Sequence, residues 1–170
     1  LAEAGLPGPR IQERVARLGL TDYRCEACPV TLWDIHQQSG HPVRTTIADM
    51  GPQLLSHLLE LNEAQEGALY VAFSAARDED LPLLDLKDLR AVLQYVGDNA
   101  AQIKTQYGNV SPASIGAIQR GLLQLEEQGG NRFFGEPMLN VDDLIQTDAS
   151  GRGIVNIIAA DKLMSAPRLY

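Results

Sequence analysis

Arg44 is the side chain whose type and position best suit catalysis, because it lies in the β-branched run "HPVRTTI" beside Thr45 and Thr46. An arginine held on a strand can stabilise the charge on a nucleotide phosphate during phosphoryl transfer, even across a subunit boundary. The simpler alternative is an ion pair with an acid such as Asp34 or Asp49, which the bare sequence favours. Arg44 is therefore a candidate phosphate or subunit contact, weighed against an ordinary ion pair.

Cys25 and Cys28 form a C-x-x-C motif, a spacing that zinc knuckles and thioredoxin-type redox sites share. A closed zinc site needs four ligands, and the sequence contains no second cysteine pair and no H-x-x-x-H. His36 and His41 lie on either side of a turn, without a spacing that forces them to converge. Both cysteines also fall in a predicted strand and not at a helix start, where a thiolate would be stabilised. Packed, reduced cysteines are favoured over a metal or redox site.

Other polar residues have simpler explanations than catalysis. His57 lies at the margin of a leucine-rich helical stripe, so we expect it to be partly exposed, while Ser56 should point to the opposite, solvated face. The acidic runs at residues 78–80 and 142–143 suit helix ends and solvated loops. A glycosidase would need two such acids in one cleft, which the sequence does not indicate.

The motifs of several enzyme classes are missing from these 170 residues. There is no G-x-S-x-G of an α/β-hydrolase, no H-E-x-x-H of a zincin and no G-x-x-x-x-G-K-[ST] of a phosphate-binding loop. The stretch "GNVSPASIGAIQRG" has a helix N-terminus that can hold an anion, but an ordinary capped helix explains it more simply. The sequence therefore contains no complete active site.

The overall composition is that of one globular domain, with 45% hydrophobic and 21% charged residues. The formal charge of −8 disfavours an autonomous nucleic-acid binder, although a local basic strip remains possible. No apolar run approaches the roughly 20 residues that cross a bilayer and no leader opens the chain, so we expect a cytoplasmic protein without a membrane partner. Leu1 in place of a methionine, and a strand-like segment before Tyr170, lead us to expect a fragment of a longer protein.

The first 50 residues predict a helix followed by a β-hairpin. Apolar residues at helical spacing after Pro9 predict a helix over residues 9–18. The β-rich stretches "YRCEACPVTLWDI" and "HPVRTTI" then flank the turn residues "QQSG", which predicts two strands joined as a hairpin.

The next hundred residues predict a succession of helices. Leucines at a period of 3.6 mark one helix after Gly51, and a second follows it. Asp85 and Ser111 are predicted N-caps, the latter for a helix that ends at Gly129, and Asn140 should cap a short helix. The apolar residues that mark these helices are Leu54, Leu55, Leu58, Leu59, Leu61, Leu69, Val71, Ala72, Phe73, Leu86, Leu89, Val92, Leu93, Val96, Ile115, Ile118, Leu122, Leu123 and Leu125.

The apolar run in "GRGIVNIIAADKL" predicts a strand from Ile154 to Ala160, buried on both faces of a parallel sheet. Strands thus lie near both ends, as expected when a helical subdomain interrupts a sheet that is completed elsewhere. We therefore predict a helix-rich α/β fold in three parts. They are an N-terminal helix and hairpin region (1–50), a helical insertion (51–150), and a core strand with its following loop (151–170).

Six stretches carry a further signal: "PVTLWDI", "GHPVRTTIADMGPQLLSHLLELNEAQEGALY", "LLDLKDLRAVLQYVGDNA", "QYGNVSPASIGAIQRGLLQLEEQGG", "FFGEPMLNVDDLIQTD" and "GRGIVNIIAADKLMSAPRLY". Together they closely resemble the bacterial HerA-like helicase C-terminal domain family, P-loop ATPases related to the HerA and FtsK motors. The resemblance runs from about Pro29 to Tyr170 and implies part of a P-loop NTPase (RecA-like) core. It implies that the Walker A loop lies before Leu1 and the Walker B strand after Tyr170.

The resemblance also implies an ATP-driven DNA translocase or helicase. ATP and Mg²⁺ would bind to the intact parent protein, whereas this segment alone, lacking both motifs, is expected to bind neither and to be inactive. The implied partners are the rest of the ATPase domain, further copies in a homo-oligomeric ring, and DNA. Two other classes stay open: a non-catalytic helical binding or oligomerisation module, and a metal or redox protein that uses Cys25 and Cys28.

Overall fold

The computed structural model describes residues 2–166 and 168–169, and these residues form a helix-rich α/β fold, as predicted. The helices and strands, in chain order, are α1 (Pro9–Leu18), β1 (Val30–Asp34), β2 (His41–Pro42), α2 (Ile47–Leu58), α3 (Glu63–Asp78), α4 (Leu86–Asp98), α5 (Ala100–Tyr107), α6 (Pro112–Glu127), α7 (Gly130–Phe133) and β3 (Val155–Ile158). Short 3-10 turns lie at Val141–Leu144 and Leu163–Ser165. No helix among the described residues is both long and apolar enough to cross a membrane.

β1 lies at the centre of a parallel sheet with the strand order β2-β1-β3. The predicted hairpin is wrong, because β1 and β2 pair in parallel, with Trp33 opposite His41. The chain turns back after β1 until Gly40 lies against Leu32, where an added Cβ would be 2.5 Å from the Leu32 carbonyl oxygen. It then turns once more, so that β2 runs in the same direction as β1.

β3 confirms the prediction of a parallel strand, because it pairs with β1 from Val30 opposite Val155 to Trp33 opposite Ile158. The predicted burial on both faces is wrong, since Val155 is 37% exposed and Ile158 is 55% exposed. Among the described residues, β3 is the last strand of the sheet, and no strand pairs with its outer edge. No described layer of the protein covers these apolar side chains fully.

Helices α2, α3, α4 and α6 pack together around the main hydrophobic core, and we call α2 to α6 the helical unit. The predicted caps are confirmed: the Asp85 carboxylate accepts the N–H groups of Lys87 and Asp88, and Ser111 accepts the N–H of Ser114. Each such cap is worth about 1 kcal/mol. The largest fully buried side chains of this core are Ile47, Leu55, Leu69, Leu86, Leu89, Leu93, Val96, Ile118, Leu122 and Leu125.

The leucine-rich helix differs from its prediction in where it begins and in which face it buries. α2 starts at Ile47, and Gly51 interrupts it with a φ of 71° before the chain resumes the helix. Ser56 is buried, whereas the predicted stripe residue Leu54 is exposed, so the predicted solvated position of Ser56 is wrong. The Ser56 hydroxyl donates to the Pro52 carbonyl at 2.8 Å, which allows its burial. His57 is exposed, as predicted.

α1 has the predicted bounds but packs differently from the other helices. None of its residues is buried, and Ile11 and Leu18 on its apolar face are exposed. A shallow groove of about 390 Å³ runs along this face between Arg10 and Tyr23. Helix propensity and caps therefore form α1 locally, without a described partner for its apolar stripe.

Candidate functional site at the carboxyl edge of the sheet

The three strands end at the same edge of the sheet because they run parallel. The turn 35–40 leaves β1 at this edge, the segment 43–46 leaves β2, and the residues from 159 onward leave β3. Ligands of parallel α/β sheets bind outside the carboxyl ends of the strands, where such loops diverge. This carboxyl edge is therefore the candidate functional site.

Asp34 shapes the turn 35–40 from within, at only 5% exposure. Its Oδ1 accepts a hydrogen bond from the N–H of His36 at 2.7 Å, and its Oδ2 accepts from the N–H groups of Gln38 and Ser39, each at 2.9 Å. Burial raises the pKa of Asp34 as the largest single influence. The three backbone hydrogen bonds together outweigh it, so the pKa lies below its ordinary value. The ionised carboxylate therefore holds the turn in one shape.

Lys162 follows β3 and reaches the same turn. Its Nζ donates to the side-chain oxygen of Gln38, which brings the loops after β1 and β3 together. Among the described residues, no carboxylate forms an ion pair with Lys162. The sequence interpretation missed both Lys162 and the role of Asp34, although each stands at the end of a predicted strand, where functional residues of parallel sheets concentrate.

Arg44 lies after β2 and not within a strand, and it is half-buried. Its Nη1 donates to the carbonyl oxygen of Glu136, and its buried Nε–H contacts no acceptor. Within the described part of the chain, no carboxylate oxygen lies within 4.0 Å of the guanidinium. The guanidinium therefore donates to one neutral carbonyl oxygen, while its Nε–H forms no hydrogen bond with the residues that the structure describes.

The predicted ion pair of Arg44 with Asp34 or Asp49 is wrong, because both acids are engaged elsewhere. The Asp34 carboxylate accepts the backbone of its own turn, and the Asp49 carboxylate accepts the hydroxyl hydrogen of Thr46 at the start of α2. The charge of Arg44 is thus unpaired among the described residues. Its role as a phosphate or subunit contact stays a prediction.

The C-x-x-C motif does not belong to this site or to a strand. Both cysteines are free thiols in the irregular segment before β1, where Cys25 is half-buried and Cys28 is exposed. The predicted packing is therefore wrong for Cys28 and only partly right for Cys25. Within the described residues, no group of three His, Cys, Asp or Glu side chains could hold a metal ion. The chain outside the C-x-x-C thus offers no described ligands to complete a zinc site.

The acidic runs lie at helix ends, as predicted, and not in one cleft. Asp78 ends α3, and its Oδ2 accepts the hydroxyl hydrogen of Tyr107 at 2.6 Å. This hydrogen bond, as the largest influence, raises the pKa of Tyr107 to about 12. Asp142 and Asp143 lie in the first turn of the 3-10 segment that Asn140 caps. These groups stabilise local structure and do not form an acid–base pair.

The carboxyl edge offers cations to a phosphate, but not a whole nucleotide site. Arg44 and Lys162 follow the two outer strands, which lie about 10 Å apart on either side of β1. The sequence has no phosphate-cradling G-x-x-x-x-G-K-[ST] loop, and no carboxylate cluster suits a metal ion in the described chain. The described residues at this edge thus include two cations of the kind that contacts phosphate oxygens, but neither a loop to hold the phosphates of ATP nor carboxylates to hold Mg²⁺.

The comparisons with known proteins agree with the resemblance seen in the sequence. The family model described as "Helicase HerA-like C-terminal" matches residues 1–170, the whole chain. No curated protein and no solved structure matches the chain. The match covers the helical unit and the strands that bracket it, together with the carboxyl edge. The chain therefore belongs to the helicase HerA-like C-terminal family.

Proposed function

We propose that this chain works as part of a HerA-like ATPase, an ATP-driven DNA translocase or helicase, in which sequence outside residues 1–170 supplies the Walker A and Walker B motifs. The family match supports the HerA-like ATPase. The observation that carries the proposal is the parallel sheet, which gathers Arg44 and Lys162 at its carboxyl edge and leaves β3 open at one side. Such a sheet suits one side of a P-loop (RecA-like) core.

Two apolar surfaces support a larger domain around this chain. An open strand edge such as that of β3 presents unpaired N–H and C=O groups, which proteins cover or pair with another strand. Val155 and Ile158 on β3, and Ile11 and Leu18 on α1, are also exposed. The rest of the ATPase domain is the partner that we propose for both surfaces, because its own strands would extend the sheet.

Arg44 is the residue of this chain that we propose to act on the nucleotide. Its charge, which no described carboxylate pairs, suits a phosphate oxygen of ATP, either in its own subunit or in a neighbouring subunit of a ring. Mg²⁺ would come with the nucleotide and be held by carboxylates outside residues 1–170. With a net charge of −8, this chain would contribute to DNA binding only through local arginines, in a cytoplasmic motor.

The test replaces Arg44 in the complete ATPase. Arg44→Ala should lower kcat for ATP hydrolysis by about a hundredfold or more, since it removes a cation from the charge that develops in phosphoryl transfer. Arg44→Lys should restore part of the rate, because it returns the charge without the planar fork. Arg77→Ala is the matched control, as its side chain is 76% exposed and, among the described residues, forms an ion pair only with its neighbour Asp78. Unchanged hydrolysis in Arg44→Ala would remove the proposed role of this arginine.

The motor assignment has its own test, separate from Arg44. The isolated chain of 170 residues should not hydrolyse ATP, because it has no phosphate-binding loop. Turnover by the purified chain, with a matched blank from a mock purification, would contradict the proposal that the motifs lie elsewhere.

A helical binding or oligomerisation module is the second candidate. It is favoured by the closed core of the helical unit, which extends from Ile47 to Phe134 without help from β3. Sedimentation of the isolated chain distinguishes the two candidates. A stable oligomer would favour the module, whereas a monomer would favour a motor segment whose ring needs the complete subunit.

A further inference from the structure

The residues after α6 form one continuous connection between the helical unit and the carboxyl edge of the sheet. We call residues 130–139 the bridging segment. It begins with α7 and passes across the loops that leave β1 and β2. Its contacts fall into three groups, and each group ties it to a different part of the molecule.

The first group ties the bridging segment to the turn 35–40. The Arg132 Nη1 donates to the His36 carbonyl at 3.1 Å, and the Gln37 side-chain amide donates to the Arg132 carbonyl at 3.3 Å. The turn and Arg132 thus exchange hydrogen bonds in both directions. Because Gln38 of the same turn contacts Lys162, the link continues to the residues after β3.

The second group ties the segment to the residues after β2. The Thr45 N–H donates to the Phe133 carbonyl at 3.0 Å, and the Gly135 N–H donates to the Thr45 carbonyl at 2.9 Å. The Leu139 N–H donates to the Arg44 carbonyl at 2.9 Å, and the Arg44 side chain donates to the bridging segment in return. The bridging segment therefore forms hydrogen bonds with both the backbone and the side chain of Arg44, the candidate phosphate contact.

The third group ties the segment to the end of α6. Gly130 packs so closely on the last turn that an added Cβ would lie 2.8 Å from the Leu125 carbonyl oxygen. Phe134 is 2% exposed in the core of the helical unit. Immediately before the bridging segment, the imidazole of His36 lies against Gly129, where an added Cβ would be 3.0 Å from its Cε1. A displacement of the turn 35–40 would therefore be transmitted by direct contact to the residues between α6 and α7.

We infer that the bridging segment couples the carboxyl edge of the sheet to the helical unit, so that nucleotide contact at the edge changes the end of α6; this inference rests on the proposed function. In a close-packed protein, little free space is available to absorb a small displacement of one segment. Whole secondary-structure elements therefore move instead. Arg132 acts as a positioning residue, since it contacts the turn and not the nucleotide.

The experiment compares the complete ATPase with its Arg132→Ala variant. This substitution removes the hydrogen bond to the His36 carbonyl but leaves the buried Phe134 side chain and the Thr45 hydrogen bonds in place. Hydrogen exchange is measured with and without a fluorescent, non-hydrolysable ATP analogue, whose binding is followed separately by its fluorescence. In the natural protein, the analogue should slow exchange in the turn 35–40 and at the end of α6. In Arg132→Ala the effect on the turn should remain, while the effect on α6 should fall about fivefold or more.

Two further variants show whether the effect is specific. Arg120 lies on α6, is exposed and makes no side-chain hydrogen bond or ion pair to any described residue, so both nucleotide effects should persist in Arg120→Ala. Arg132→Lys keeps a cationic hydrogen-bond donor without the planar guanidinium and should restore part of the effect on α6.

Three outcomes would overturn the inference. The effect at α6 could persist in full in Arg132→Ala, or the natural protein could bind the analogue without any change at α6. Exchange in Arg132→Ala could also rise equally with and without nucleotide, which would show a purely structural role. A natural protein that does not bind the analogue would overturn the proposed function, and with it the ground for coupling.

Discussion

The helical unit and the sheet bury their apolar residues to very different degrees. Leu93 and Leu122 of the helical unit are 0% exposed, whereas Leu32 on β1 is 46% exposed and Ile158 on β3 is 55% exposed. Four helices cover one another around the core of the helical unit. Part of the apolar surface of the sheet is left without a described cover. The difference shows that the helical unit encloses an apolar core of its own, whereas the sheet exposes part of its apolar surface among the described residues.

The two regions also differ in how far apart their partners lie in the chain. Helices form from residues three and four positions apart, and a cap such as Asp85 acts within three residues. The side chain of Trp33 donates to Asn156, which is 123 positions away. Pairing of β1 with β3 therefore carries the entropic cost of closing a long loop, which prior formation of the helical unit would reduce.

The largest effect is expected from a substitution in the core of the helical unit. Leu122→Ala should lower the free energy of unfolding of the chain by about 2–5 kcal/mol, because it leaves a cavity among packed helices. The matched control is Leu123→Ala on the same helix, which should change it by less than about 1 kcal/mol because Leu123 is 51% exposed. Urea unfolding followed by circular dichroism measures both. Equal losses would contradict a core that lies on one face of α6.

An intermediate effect is expected at the turn after β1, which Asp34 holds. Asp34→Asn should lower the free energy of unfolding by about 1–3 kcal/mol at neutral pH, because an amide cannot accept all three N–H groups of the turn. Asp161→Asn is the control, since Asp161 is exposed after β3.

The pH dependence of this effect follows from the lowered pKa of Asp34, which its hydrogen bonds cause against the opposing influence of burial. A carboxyl whose pKa is lower in the folded state stabilises the fold fully above its unfolded value of about 3.9. That stabilisation is lost as the pH falls through the folded pKa. The gap between the natural chain and Asp34→Asn should therefore shrink below about pH 4. A gap that stays constant from pH 7 to pH 2 would contradict the role of the ionised carboxylate.

The smallest effect is expected at the exposed face of β3. Ile158→Thr keeps a β-branched side chain and should change the free energy of unfolding of the isolated chain by less than about 1 kcal/mol. In the complete ATPase the same substitution should cost more if, as proposed, the rest of the ATPase domain covers Ile158. Thermal unfolding of both proteins makes the comparison. A small effect in both would argue that β3 stays open in the complete protein.

The helices were largely predictable because their signals are local. The bounds of α1, the caps Asp85 and Ser111, and the apolar face of α4 all agree with the prediction. The buried face of α2 was not predictable, because either of the adjacent Leu54 and Leu55 could face the core, and Gly51 interrupts the helix. The division of the chain at residues 50 and 150 stays a prediction.

The candidate site was only partly predictable. Arg44 was identified as a strand-borne arginine, but it lies just after β2, at the carboxyl edge of the sheet. Its predicted acidic partners were wrong, since the turn after β1 takes Asp34 and the cap of α2 takes Asp49. Lys162 was missed because its neighbour Gln38 follows a different strand.

By itself, the sequence determined the helices with their caps, the parallel character of β3, the missing phosphate-binding loop and the family. These depend on residues a few positions apart or on long runs of letters. Only the tertiary structure decided the direction of β2, the open face of the sheet and the partners of Arg44 and Lys162. The reason is that each of these depends on which distant segments meet, and many side chains of similar type compete for the same contacts.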